Sequence, residues 1–223
     1  MLAGLRAGWR AMLHLNQRGH KYIWGNLLWV ALSIPIVTAP AAWMAFVRLG
    51  YSLHRDPGTT MDEFWAGFRK NWRRGIVLAL INAVILIVNI SNLLSYWYTP
   101  GVVAMFLRVT WLIVLVGWFA LQLYAYPLFF ALEKPTLVAA FRNAAVMILL
   151  NPLFTAGVLL CAALILVLSM ALPPAWILLT GAALCALANT AVQDRLRAAG
   201  LEKTPPPDPD DVPDRSFYAD YET

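Results

Sequence analysis

The sequence predicts an all-α polytopic membrane protein, with six transmembrane helices paired as three hairpins that turn at proline and with amphipathic helices on the cytoplasmic interface. Three observations carry this expectation. Hydrophobic residues make up 61% of the 223-residue chain and charged residues 13%, about half the charge of a soluble domain and far more apolar content than one core can hide. Apolar stretches recur at the length a bilayer demands, roughly 17–25 residues at about 1.5 Å each. The charges collect between alternate pairs of those stretches. A soluble enzyme is excluded, and no polar stretch before residue 193 is long enough for a separate globular domain.

Residues 1–20 form an N-terminal cytoplasmic amphipathic segment carrying Arg6, Arg10 and Arg18, with Lys21 just beyond. It has no small-residue cleavage site after a short apolar core, so it does not read as a removable signal peptide. The apolar stretch from Lys21 to Leu53 contains Pro35 and Pro40. As one helix it would put the basic N-terminus across the membrane from the basic stretch 48–74, against the positive-inside bias. Two short helices, about 18–36 and 38–54, avoid that, each long enough to just cross. The remaining spans of the transmembrane domain, 21–192, fall at about 75–97, 101–132, 152–172 and 174–192.

The charge census agrees with six spans. Of 29 charged residues, 28 lie in the N-terminus, the 48–74 stretch, residues 133–142 or the tail, while the turns near Pro35–Pro40, Tyr98–Gly101 and Leu172–Pro174 carry none. Both termini are therefore expected inside a bacterial cytoplasmic membrane. The body to residue 193 has net charge +9 and residues 194–223 have −4. Residues 193–223 read as an acidic, proline-rich, disordered cytoplasmic tail, with Phe217, Tyr218 and Tyr221 as a candidate short binding motif.

In the first cytoplasmic connector, Thr60-Met61-Asp62-Glu63 has the capping-box pattern. Phe64, Trp65, Phe68 and Trp72 follow at helical spacing, with Arg69, Lys70, Arg73 and Arg74 toward the other side. This is expected to be an interfacial helix anchoring in anionic headgroups; a coupling helix that docks a partner is the alternative. In the second connector, Glu133-Lys134-Pro135-Thr136 opens a helix carrying Leu137, Phe141 and Arg142, which Asn151-Pro152 ends.

Little in the sequence can do chemistry. His14, His20 and His54 lie at the cytoplasmic edge without metal-site company. His20 and His54, each 17 residues from Val37, are expected at one depth on neighbouring helices. Neither a phosphate loop nor a nucleophile elbow occurs, and no acid lies within a span. The charge inside a span is Arg108, seven residues beyond Gly101, with Asn89, Ser91, Asn92 and Ser95 facing it across the Pro100-Gly101 turn. It either snorkels and hydrogen-bonds as helix glue, or forms a polar vestibule for a ligand. Catalytic residues, metal and cofactors are not expected, nor is a nucleic-acid partner.

At Asn26-Leu27-Leu28-Trp29, Ser33-Ile34-Pro35-Ile36-Val37-Thr38, the small-residue helix through Ala42, and Phe64, Phe68, Lys70 and Asn71, the chain resembles the YesL family of bacterial membrane proteins, a domain-of-unknown-function family. The similarity covers about residues 10–192. It implies a small inner-membrane protein whose relatives are often encoded beside carbohydrate ABC transporters. The expected function is a non-enzymatic integral membrane accessory or interaction protein for carbohydrate ABC-type uptake, with transporter subunits as partners. The alternative is a small-solute transporter or lipid-handling protein using the Arg108 cluster.

Overall fold

The computed structural model describes residues 1–201; most of the acidic tail, 202–223, lies outside them. Every regular element among the described residues is helical: α1 (Leu2–Gln17), α2 (Gly19–Ser33), α3 (Ala39–Leu53), α4 (Asp62–Trp97), α5 (Val102–Ala131), α6 (Leu137–Leu150), α7 (Pro152–Ala171) and α8 (Trp176–Ala198). Of these, α4, α5, α7 and α8 are long and apolar enough to cross a membrane.

The buried face of α1 is a stripe of small residues, Gly4, Ala7, Gly8 and Ala11, at the three- and four-residue spacing of one helix face. It lets α1 press onto α7 and α8. A Cβ at Gly4 would stand 2.3 Å from the Phe154 carbonyl oxygen, and one at Gly8 2.4 Å from Cys161 Sγ. The expected amphipathic segment is thus built into the bundle.

Helices α2 and α3 form the expected hairpin, with Pro40 in the first turn of α3, where its missing N–H costs nothing. The turn hydroxyls bond back to the end of α2: Ser33 Oγ donates to Trp29 O at 2.6 Å, and Thr38 Oγ1 to Leu32 O, one of the carbonyls the helix end leaves without an intrahelical donor. Each helix has 15 residues, about 22 Å, against a hydrocarbon core of about 30 Å.

The main departure from expectation is α4, which runs unbroken for 36 residues. The expected interfacial helix and the span after it are one element, because no proline separates them. Its first half lies antiparallel against α3. A Cβ at Gly67 would stand 3.1 Å from Ala45 Cα, and one at Gly75 only 2.5 Å from Ala41 Cα. The helix α3 therefore runs beside Phe64 to Leu78, which includes the basic stretch, and its start is level with the point where α4 becomes apolar. The capping box is also not formed: Thr60 Oγ1 donates to Asp62 Oδ2 at 2.9 Å, while Glu63 pairs with Arg48 at 2.8 Å.

Helix α5 returns antiparallel to α4, tied by Trp118 Nε1 donating to Asn82 Oδ1 at 3.1 Å and Asn89 Nδ2 donating to Trp111 O at 3.2 Å. Its last third, around Leu123 to Phe129, is buried, whereas the outer ends of both helices are open on most sides, with Val102, Val103 and Phe106 each more than 60% exposed. Thr136 caps α6 by accepting from Ala139 N at 3.2 Å.

The centre of the bundle is α8. It is the least apolar of the four long helices and the most buried, with Gly181 to Ala183 and Cys185 to Gln193 all inside. Its first five residues, Trp176–Thr180, are π-helical. Asn26 Nδ2 donates to the Ile177 carbonyl there, and Gly181 admits Asn26 and Trp29 so closely that a Cβ would meet Trp29 at 2.6 Å. The helix continues to Ala198, so the expected tail boundary at 193 falls inside a helix whose Gln193 is buried.

Candidate functional site

The Arg108 group does not converge. Arg108 Nη1 donates to Trp97 O at 3.1 Å and Nε to Ala104 O at 3.4 Å. The last carbonyls of a helix have no intrahelical donor and carry the negative end of its dipole, so this guanidinium caps α4. Asn92 Nδ2 donates to Val88 O and Ser95 Oγ to Ser91 O, both at 2.8 Å and both within α4. Ser91 is exposed, and Asn89 is the member that crosses to α5. Arg108→Leu should cost about 1 kcal/mol, a fall of roughly 2–4 °C in melting temperature, and Arg108→Lys less. Thermal unfolding in detergent checks this; a much larger loss would give the guanidinium a role beyond capping.

The expected anchor residues divide between two faces of α4. Phe64 is fully buried and Phe68 partly, whereas Trp65 and Trp72 are exposed, as are Arg69, Lys70 and Arg73. The buried stripe is Phe64, Gly67, Asn71, Gly75 and Leu78, chosen by close approach to α3 rather than by aromatic content. Arg74 turns inward: Nη1 donates to Asn71 Oδ1 at 2.9 Å, and the guanidinium lies 5.2 Å from the Phe129 ring centroid.

The polar residues that do converge sit where α1, α2, α3 and α8 meet. The His14 and His54 rings stack with centroids 3.7 Å apart. Tyr22 Oη lies 3.2 Å from His14 Nδ1. His54 Nδ1 is 2.8 Å from Gly50 O, an acceptor, so this nitrogen carries the proton and Nε2 accepts from Thr190 Oγ1 at 3.0 Å. Burial is the main cause holding His14 down to a pKa of about 4; a hydrogen bond to the Leu53 backbone opposes it and the Arg18 charge adds to it. His20, the expected partner of His54, is exposed instead. No spacing in the sequence announces the His14–His54 pair, because it depends on how the helix break at Arg18 sets α1 relative to α2 and α3.

One turn further along α8, Asp194 pairs with both Arg10 and Arg195. Arg195 also reaches Asn151 Oδ1 at 3.4 Å and lies 4.0 Å from the Phe154 ring centroid. A cleft of about 820 Å³ opens beside it, with Lys134, Glu133, Asn143 and Asn151 in its wall. A smaller cavity of about 250 Å³, walled by Trp29, Trp43, Phe119, Asn82, Gln122 and Tyr126, lies between the first hairpin and α5. In chemical terms the polar cluster joins five helices: the nitrogens of His54 and the two Nη atoms of Arg195 are engaged by groups on the protein itself, while Arg195 Nε is buried without a partner.

The architecture is that of an all-helical protein with four helices long and apolar enough to span a membrane. Within it, residues 22–93, from α2 through most of α4, match the model of the family described as Protein of unknown function, DUF624. No curated protein and no solved structure matches the chain.

Proposed function

We propose that the chain is a non-enzymatic accessory protein of the bacterial cytoplasmic membrane, serving a carbohydrate ABC-type uptake system through its cytoplasmic face. The observation that supports the non-enzymatic part is the use of the convergent polar residues: His54 bonds to the Gly50 carbonyl and Thr190, Asp194 pairs with Arg10 and Arg195, and Arg195 reaches Asn151. The carbohydrate part rests on the resemblance to the YesL family, itself a DUF624 family, and the matched residues 22–93 include the exposed Trp65, Arg69, Trp72 and Arg73 as a docking face. Affinity purification in mild detergent followed by mass spectrometry tests it. Stoichiometric transporter subunits are expected, and recovery of the chain alone would overturn the reading.

The topology that fits best has both termini cytoplasmic and four crossings, α4, α5, α7 and α8. The α2–α3 hairpin enters from the cytoplasmic side and stops part-way, its exposed Ile34, Ile36 and Val37 in the acyl region. In a variant with Cys161 and Cys185 replaced by alanine, a cysteine at Thr99 should react with an impermeant maleimide from outside, and one at Val37 should not. Outside labelling at Val37 would restore the six-span arrangement.

A further inference from the structure

We propose that the recess where α6 meets the outer faces of α4 and α5 seats one anionic phospholipid, a binding site separate from any accessory role. Two recesses, of about 580 and 480 Å³, share Ile85, Trp118, Leu121 and Ala145 and so form one continuous space. The stacked rings of Trp118 and Phe141, 5.5 Å apart and within 13° of parallel, hold α6 in place along it. Its walls are apolar, the solvent an acyl chain prefers. Gly117 leaves room: a Cβ there would meet nothing within 4 Å.

The charge at the rim selects the head. Arg142 is the charged residue lining this space, and it is exposed. On α4, Leu78 forms part of the wall, and the exposed Lys70 lies about two turns before it, where the helix changes from basic to apolar. Cationic side chains at that junction attract anionic headgroups and place them above their own acyl chains. A free phosphate would satisfy Arg142 but leave the apolar walls uncovered, so a lipid is the occupant that fits both.

Native mass spectrometry and thermal unfolding of the detergent-purified full chain provide the test, with phosphatidylglycerol, phosphatidylcholine and inorganic phosphate added separately. One phosphatidylglycerol per chain should be retained and raise the melting temperature; phosphatidylcholine should be held several-fold more weakly, and phosphate should have no effect. A Cβ at 117 meets nothing within 4 Å, so Gly117→Leu places its side chain in the recess and should lose the bound lipid while its melting temperature in lipid-free detergent stays close to wild type. Arg142→Gln should lower the preference for phosphatidylglycerol over phosphatidylcholine several-fold. Retention of phosphatidylglycerol by Gly117→Leu, equal retention of the two lipids, stabilisation by phosphate alone, or a lipid-free dimer that Gly117→Leu disrupts would each overturn the proposal.

Discussion

Gly75→Leu should leave almost no folded protein. A Cβ at this position stands 2.4, 2.5 and 2.6 Å from Ala41 Cβ, Cα and N. Two of those atoms are backbone, so no rotamer change can relieve the contact and α3 must move off α4. Overpacking of a core costs about 1–3 kcal/mol where side chains can yield, and here they cannot, so the effect should exceed that range. Against a total stability of about 5–15 kcal/mol, the remainder is small. Size-exclusion profiles of a fluorescent fusion in mild detergent would show the loss, with Gly117→Leu as a matched control that should elute as wild type. A well-behaved Gly75→Leu would mean that α3 and α4 are not in contact.

Acid should weaken the fold through His14. Its pKa of about 4 in the folded chain lies below the ordinary 6.5, so between those values the unfolded chain binds the extra proton. The stability due to the neutral ring is complete above pH 6.5. It falls as pH drops toward 4, by at most about 1.4 kcal/mol per pH unit and about 3 kcal/mol in all. The groups around the ring are His54, Tyr22 and Arg18, none of which supplies a negative charge to hold an imidazolium. His14→Phe keeps a ring against His54 and removes this titration, so melting temperature measured from pH 7.5 to 4.5 should decline less steeply than in wild type. An unchanged slope would place the acid response elsewhere.

Much of the helical plan is legible from composition. The expected spans at 75–97, 101–132 and 152–172 lie within or nearly coincide with α4, α5 and α7, since long apolar runs bounded by charge or proline have few other ways to satisfy their backbone. The unread contacts share one cause. Gly4, Gly8, Gly67, Gly75 and Gly181 decide which helices touch, and small residues carry almost no signal on a hydrophobicity scale. The aromatic spacing therefore gives no sign of which face of α4 meets α3, a face that Gly67 and Gly75 set. The first hairpin reads as a pair of spans because its residues are apolar; what the structure adds is that each of its helices has only 15 residues and that α3 pairs through glycines with the first half of α4. The histidine partners were unreadable for another reason: His14 and His54 are 40 residues apart, and the break at Arg18 that lets α1 pack beside α3 has no sequence signal.

The central position of α8 also orders the chain's assembly in time. Helix α1 leaves the ribosome first, yet its small-residue face closes onto α8, the last described helix to be made, and Arg10 finds Asp194 only then. The early helices must therefore wait in the membrane with Asn26, Tyr22 and His54 lacking their final neighbours. Being the least apolar of the long helices, α8 gains little from lipid and much from the bundle already there. A chain halted before Gly181 would leave the small-residue face of α1 and the side chain of Asn26 without their partners, and it should be cut by protease faster than the chain that includes α8.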